Sequence, residues 1–373
     1  MGFLRLCIAL TLIFFLTACK QTAVERWTPG KPFCAGKLTV GVIYLDDATN
    51  GYSLSHATGL AKAAQELGID QERIINKFNV SDGDTAMIEF AISSLIAQGA
   101  NIIITTSWGF MTVSGKMAQE YPNVIFANAS GYKYNSRNFT NFFGRMYQAR
   151  FLSGIAAGLQ TNTNKIGFVA AQGIANSEVT GGLNAFAIGV ASVNPDAQIY
   201  VKVTHSWYHP AGERAAANLL LEHGCDVIAQ HCDTNEPKRA AQRAGVWAIG
   251  ANIDMSRQAP DAVLTSTLWN WDVYYKKLFA SVIDGSFNTL PYFGGLDDGL
   301  VGIAPINTAV AKAGISEAVN EAKERILRDD FRIFEGLMQT NTGDFVGAQG
   351  AALSDSQIRS WIDWYYHNIS ELH

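Results

Sequence analysis

The sequence predicts an α/β protein of two doubly wound lobes, and three observations predict it. Short apolar runs rich in Val and Ile alternate with amphipathic helical patterns along most of the chain. Near-continuous apolar strands separated by helices imply parallel sheets covered on both faces. The alternation also restarts near Gln148, and 373 residues with 48% apolar content exceed what one ordinary core needs.

The elements follow in order. Leu38 to Leu45 (LTVGVIYL) is an apolar strand, and Ser55 to Leu67 carries small and apolar residues at helical spacing until Gly68 stops it. Ile74 to Phe78 is a strand, Asp84 to Ala97 a helix, Ile102 to Thr106 a strand, Thr112 to Glu120 a helix and Val124 to Ala127 a strand. The second cycle opens with a helix from Gln148 to Leu159, whose Gly154 and Gly158 allow close packing. It continues with the strand Lys165 to Ala170, the helix Glu178 to Val193, the strand Ile199 to Thr204 and the helix Ala211 to His223. Val227 to Gln230 is a strand, Pro237 to Ala244 a helix, and Trp247 to Gly250 and Val263 to Ser266 are strands. The C-terminal rings Trp361, Trp364, Tyr365 and Tyr366 predict a helix packed on the second lobe, with Asp363 and His367 toward solvent. Sheets of this kind bind ligands beyond the carboxyl ends of their strands.

The N-terminus reads as an export signal: one cation (Arg5), an apolar stretch from Leu6 to Leu16, and small residues before Cys19. The stretch is shorter than the roughly 20 residues a membrane span needs. Leu16-Thr17-Ala18-Cys19 has the arrangement of a lipoprotein processing site, so Cys19 is expected to carry lipid and tether the protein to a membrane. Lys20 to Lys31 is polar, contains Pro29 and Gly30, and reads as the tether. Of the remaining cysteines, Cys225 and Cys232 flank a strand whose length keeps them too far apart for a disulfide. A pair involving Cys34 is one option; three inert buried thiols are the favoured one.

A net charge of −5 gives nucleic-acid binding no electrostatic support. The nearest approach to a phosphate loop, Gly109-x5-Gly115-Lys116-Met117, has one spacer too many and lacks the hydroxyl that holds magnesium. His205, His209, His231, Cys232 and Asp233 match no standard metal spacing, and no cofactor is called for. Aromatic residues stand out instead. Tyr52, Trp108, Phe110, Trp207, Tyr208, Trp269 and Trp271 all follow predicted strand ends. Rings gathered on one face suit a planar or sugar ligand, with Asn128, Asp233, Asn252 and Asp254 as polar candidates. Each of those four is, taken alone, more often a turn former or helix cap.

These stretches also carry a resemblance. ARFLSGIAAGL (149–159), KIGFVA (165–170), NAFAIGVASVNPDAQI (184–199), GCDVIAQHCDT (224–234), WAIGANIDMSRQAPDAVLTS (247–266) and DDGLVGI (297–303) resemble the basic-membrane-protein family of substrate-binding lipoproteins. Those proteins are receptors of ABC importers for nucleosides and purines. The resemblance implies a type I periplasmic-binding-protein fold: two Rossmann-like lobes, three crossovers, a hinge and a central cleft. It also implies a small-molecule ligand, ABC permease subunits as partners, a monomer, and a place in the bacterial cell envelope facing the periplasm or exterior.

Two departures bear on the ligand. Where nucleoside-binding members carry an Asp and a Lys that contact ribose, this sequence has Asn252 and Trp269; the family's stacking Phe aligns with Tyr52. Loss of both ribose contacts implies a free purine base rather than a nucleoside. The expected site is therefore Tyr52, Trp108, Asn128, Trp207, Asp233, Asn252, Asp254 and Trp269, with no catalytic residue. Other readings are a sensory receptor uncoupled from transport, an enzyme acting on purines or nucleosides, and a sugar or amino-acid ligand. The expected boundaries are a signal peptide at 1–18, a tether at 19–35, a first lobe of 36–146 with 260–292, and a second of 147–259 with 293–373.

Overall fold

The computed structural model describes residues 25–49 and 51–373; the expected signal and lipid-bearing Cys19 lie outside them. The first cycle runs β1 (Val40–Ile43), α1 (Gly51–Glu66), β2 (Ile74–Lys77), α2 (Thr85–Ala97), β3 (Ile102–Thr105), α3 (Met111–Glu120), β4 (Ile125–Ala129) and β5 (Phe139–Gly144). The second runs α4 (Met146–Gln160), β6 (Lys165–Ala170), α5 (Ser177–Val193), β7 (Gln198–Val203), α6 (Pro210–Glu222), β8 (Val227–His231), α7 (Glu236–Ala244), β9 (Trp247–Gly250) and β10 (Val263–Trp269). After these come α8 (Trp271–Asp284), β11 (Tyr292–Gly294), β12 (Val301–Ile303), α9 (Ile315–Leu327), β13 (Glu335–Gln339), β14 (Phe345–Ala352), α10 (Asp355–Ser360) and β15 (Ile369–Glu371).

One sheet has the order β11-β5-β4-β3-β1-β2 and is parallel throughout. The other has the order β12-β10-β9-β8-β6-β7-β15, and β12 pairs antiparallel to β10. The chain passes from the first sheet to the second after β5, returns after β10 through α8, and passes back after β11. This is the type I periplasmic-binding-protein architecture.

Local signals explain the helix ends. The Asp84 side chain accepts from the Met87 N–H at 2.9 Å and opens α2; Asn176 does the same for α5 through Val179 at 3.1 Å. Pro210 and Pro237 stand in the first turns of α6 and α7, where a missing N–H costs nothing. Central β1, β3 and β4 are buried along their whole length, as their unbroken apolar character requires.

The tightest helix pair is α4 against α5. A Cβ at Gly154 would run into the Phe186 carbonyl, and one at Gly189 into the Phe151 carbonyl. The two backbones touch, so a side chain at either position must push the helices apart. Overpacking of this kind costs about 1–3 kcal/mol or more. Gly154→Val is therefore expected to lower the thermal midpoint by several degrees in a denaturation scan, and Gly154→Ala by less.

The expected tether needs correction over its described residues 25–35: Trp27 and Phe33 are buried in the core, and Arg26 donates to the Ala100 and Ile96 carbonyls, because these residues pack on the first lobe. Four further expectations do too. First, the expected first-lobe segment 260–292 divides: Val263–Trp269 pairs with β9 in the second sheet, while α8, which packs on α1, and β11, which pairs with β5 and runs on to Gly294, belong with the first. Second, β5 was missed because FTNFFG lacks an aliphatic run, although all six residues are buried. Third, the C-terminal rings do not form a helix. Only Asp355–Ser360 is helical, and the chain then extends to β15, which adds to the sheet beside β7. The Asn184 amide fastens that segment, donating to Trp364 O and accepting from the Tyr366 N–H. Fourth, Cys34 is exposed, not buried; it, Cys225 and Cys232 are free thiols.

Candidate functional site

The carboxyl ends of both sheets face one cleft of about 790 Å³. From the first lobe come Leu45 after β1, Ser107 and Trp108 after β3, Ser130 after β4 and Gly144 at the end of β5. From the second come Trp207 after β7, His231 and Asp233 at β8, Asn252 after β9 and Trp269 ending β10. Parallel strands all end on the same side, so their loops converge there.

Trp269 heads an aromatic column. Its ring stacks on Trp271 at 4.3 Å and 12°, and Trp271 stacks on His56 at 4.2 Å and 10°. Tyr52 meets His56 edge-on at 4.5 Å, and Phe143 leans on Trp269 at 4.9 Å. The His56 ring is locked by Tyr275, whose hydroxyl lies 2.5 Å from Nδ1, and burial pushes its imidazole well down into the neutral form. Stacked on Trp271 and, through it, on His56, Trp269 forms a braced platform beside the strands that join the lobes. Trp108 is 59% exposed at the lip, and Trp207 stands edge-on to His231 at 5.5 Å.

The polar groups are held as firmly. Asn252 Nδ2 donates to Asp233 Oδ1 at 2.8 Å, and the Asn252 carbonyl accepts from the Trp269 N–H at 3.1 Å. The Asp233 N–H donates to the Trp207 carbonyl at 2.9 Å. Buried Glu213 links the same two loops, accepting from the His209 N–H, the Thr234 N–H and the Thr234 hydroxyl. Burial, then the nearby Asp46 charge, pushes the Asp233 carboxyl well up; a hydrogen bond from the Tyr52 backbone opposes this. Gly51 lets the first lobe come that close. At φ +62° it approaches so tightly that a Cβ would lie 2.8 Å from Asp233 Cβ.

Glu178, in the first turn of α5, is the least satisfied acid in the cleft. Its nearest cationic candidate is His231 Nε2 at 3.9 Å, and burial pushes its carboxyl up to about 7 against the opposing pull of Arg150 and Arg359. His231 itself is held well below its usual range by burial and by Arg150, so it is neutral.

Six of the expected site residues thus line one cleft: Tyr52, Trp108, Trp207, Asp233, Asn252 and Trp269. Two do not. Asn128 is fully buried behind it, donating to Thr105 Oγ1 at 3.0 Å and Ser107 O at 2.8 Å, and so supports the loop that carries Trp108. Asp254 is exposed and accepts from the Ser256 N–H at 2.9 Å, a turn-forming role. Phe110 and Trp271 are core residues and Tyr208 is exposed on the surface. Trp269 was placed beyond its strand but ends it. Glu178, Phe143 and Phe293 were missed; the strand-end rule pointed to the stretch after β6 that leads to Glu178.

Among the described residues no cluster of three or more His, Cys, Asp and Glu could hold a metal ion, and no helix is long and apolar enough to cross a membrane. A cleft between two parallel-sheet lobes, floored by a braced ring and edged with amides and carboxylates, defines a solute-binding protein. The family model described as "ABC transporter substrate-binding protein PnrA-like" matches residues 38–329, and the chain belongs to that family. Members are solute-binding proteins rather than enzymes; they work outside the cytoplasm and serve a membrane permease.

Two relatives differ in what their names say they bind. A Haloferax volcanii protein named "Putative ABC transporter glucose-binding protein" is 35% identical over 314 residues, covering 84% of this chain and 78% of its own. A purine-binding protein of Brucella abortus is 30% identical over 336 residues, covering 90% and 93%. The fold is shared with a solved ABC transporter solute-binding protein from Conexibacter woesei, with TM-score 0.65, 19% identity, and coverage of 79% of this chain and 98% of that one.

Proposed function

We propose that the protein binds a free purine base in the interlobe cleft and delivers it to an ABC permease. The observation that carries this reading is the pairing of a rigid ring, Trp269, with the adjoining Asn252–Asp233 amide–carboxylate pair. A flat heterocycle would lie on Trp269, opposite or beside Tyr52 and Trp207, and turn its edge to Asn252, Asp233 and Glu178. Each base–aromatic stack contributes about 1–3 kcal/mol, and amide and carboxylate groups match the donors and acceptors of a base edge.

Charge narrows the ligand further. Asp82, Glu178, Asp233 and Asp355 line the cleft against the one permanent cation Arg359 among the described lining residues. Asp355 is paired with Arg145 and the Asp233 carboxyl is pushed up, so the like charge a phosphate would meet comes from Asp82 and the ionised fraction of Glu178; it disfavours nucleotides relative to bases and nucleosides. Asn252 and Trp269, at positions where nucleoside-binding members of the resembled family carry ribose-contacting Asp and Lys, remove the two charged groups that grip ribose there, which favours a base over its nucleoside.

Isothermal calorimetry against adenine, guanine, hypoxanthine, xanthine, their nucleosides, AMP and glucose tests this. Binding of a base more tightly than its nucleoside, with none of AMP, is the expected result. Tighter binding of a nucleoside overturns the free-base reading. Binding of glucose alone replaces it with the sugar reading that the archaeal relative favours.

Glu178 adds a pH signature. A ring N–H bonds the ionised carboxylate more strongly than the neutral acid, and with a pKa raised to about 7 the group becomes increasingly protonated below that pH. Base affinity is therefore expected to be flat above pH 8 and to fall about tenfold by pH 6. Glu178→Gln should flatten that profile when calorimetry is repeated across pH.

Anchoring through Cys19 belongs to the same reading: a tether keeps the receptor beside its permease. Cys19→Ala should release the protein from the membrane fraction; unchanged sedimentation with membranes would remove the lipid anchor.

A further inference from the structure

The family model ends at residue 329, yet the cleft does not. Asp355, Ser356, Ile358, Arg359 and Ser360, nearly the whole of α10, line it. The helix is built to stay in place. A capping box starts it, the Ser354 hydroxyl accepting from the Gln357 N–H at 3.3 Å while the Gln357 side chain accepts from the Ser354 N–H at 2.9 Å. Ile358 packs on α5 at Gly181, where a Cβ would lie 3.6 Å from it. So α10 belongs to the second lobe.

Its two charged residues reach the other way. Asp355 receives Arg145 through Nε at 3.1 Å and Nη2 at 2.8 Å, and the Tyr147 hydroxyl at 3.1 Å. Arg145 stands where the chain passes between the lobes after β5, close to any pivot, so this bond survives a change of lobe angle. Arg359 differs. Its Nη2 donates to the Gly131 carbonyl at 3.0 Å, and its guanidinium lies 4.7 Å from the Phe293 ring centre. Gly131 follows β4 and Phe293 lies in β11, both in the first lobe. Moving the lobes apart would break the Gly131 bond, while Phe293, whose carbonyl accepts from Arg145 Nη1 at 2.9 Å, lies beside the crossover and holds the Arg359 guanidinium in line.

We propose that α10 is a wall of the ligand cleft and that Arg359 is a positioning residue, latching this wall to the Gly131 carbonyl when the lobes are together, with the Phe293 ring orienting its guanidinium, and so setting how long a solute is held. The proposal rests on the cleft being the ligand site. Contacts present in one state alone bias the equilibrium toward it, and such a bias acts on release more than on capture.

The test compares full-length wild type with Arg359→Ala, Arg359→Lys and Phe293→Leu. Two readouts are used: small-angle scattering without ligand, and stopped-flow tryptophan fluorescence with adenine. The latch predicts a larger radius of gyration for Arg359→Ala, and adenine dissociation about tenfold faster with the association rate little changed. Arg359→Lys should recover part of the effect by keeping one donor, and Phe293→Leu should shift both readouts in the same direction if Arg359→Ala fails to fold. Scattering and dissociation indistinguishable from wild type overturn the latch. If wild type itself does not bind adenine, the purine reading has failed, and scattering alone decides the latch.

Discussion

Trp269→Ala is expected to weaken binding of a purine base by about tenfold to a hundredfold, the loss of one full stack at 1–3 kcal/mol. The same change should also lower stability, because Trp269 is only 6% exposed and carries one end of the column it forms with Trp271 and His56. Truncation of a buried Trp costs about 3–5 kcal/mol. Sequence reasoning places Trp269 in an open loop, from which affinity would change and folding would not; the structure predicts both. Trp269→Phe separates them, since a smaller ring keeps a stacking face while filling much of the space. Calorimetry and thermal denaturation on the two variants check this. Full affinity in Trp269→Ala would remove the ring from the site.

Gly51→Val should cost as much in affinity by a different route. A β-branched residue at φ +62° is strained in any state. Its Cβ would also lie 2.8 Å from both Cβ and the carbonyl oxygen of Asp233, across the cleft. The strain is present at any lobe angle, but the clash exists only where the lobes lie as close as they do here. That clash penalises closure by about 1–3 kcal/mol, so ligand affinity is expected to drop about tenfold to a hundredfold. The thermal midpoint, set mainly by the two cores, should fall by only a few degrees. Calorimetry with scattering on the variant checks it: the protein should stay extended at ligand concentrations that compact the wild type.

Much of the site was legible because parallel sheets obey a simple rule. The parallel strands end on the same side, so rings just past their ends are candidates for the cleft; Tyr52, Trp108 and Trp207 line it, whereas Phe110 and Trp271 turn into the core and Tyr208 to the surface. The rule failed where a polar residue had closer work to do. Asn128 sits at the end of β4 but turns inward to hold the Ser107 carbonyl, and Asp254 spends its carboxylate on its own turn. A sequence shows that an amide stands near a strand end, not which way it points.

Glu178 and Arg359 were illegible for another reason. Both reach the cleft from helices, and their surroundings come from segments far away in the chain: His231 and Arg150 for the first, Gly131 and Phe293 for the second. The C-terminal rings misled because aromatic residues clustered within six positions fit a helix face and an edge strand with its approach equally well. Docking on Asn184 and β7 selected the second.

Local pattern alone determined most of the alternation of strands and helices through β10 and the two-lobed class, because periodicity and apolar runs are properties of neighbouring residues; the family rested on the resemblance of particular stretches, not on periodicity. Tertiary structure decided which lobe β10 joins, which polar groups face the cleft, and that α10 walls it. Those depend on where segments dock in the folded chain, β10 on β9, the Asn128 amide on the Ser107 carbonyl and α10 on Gly131, and local preference does not encode such choices.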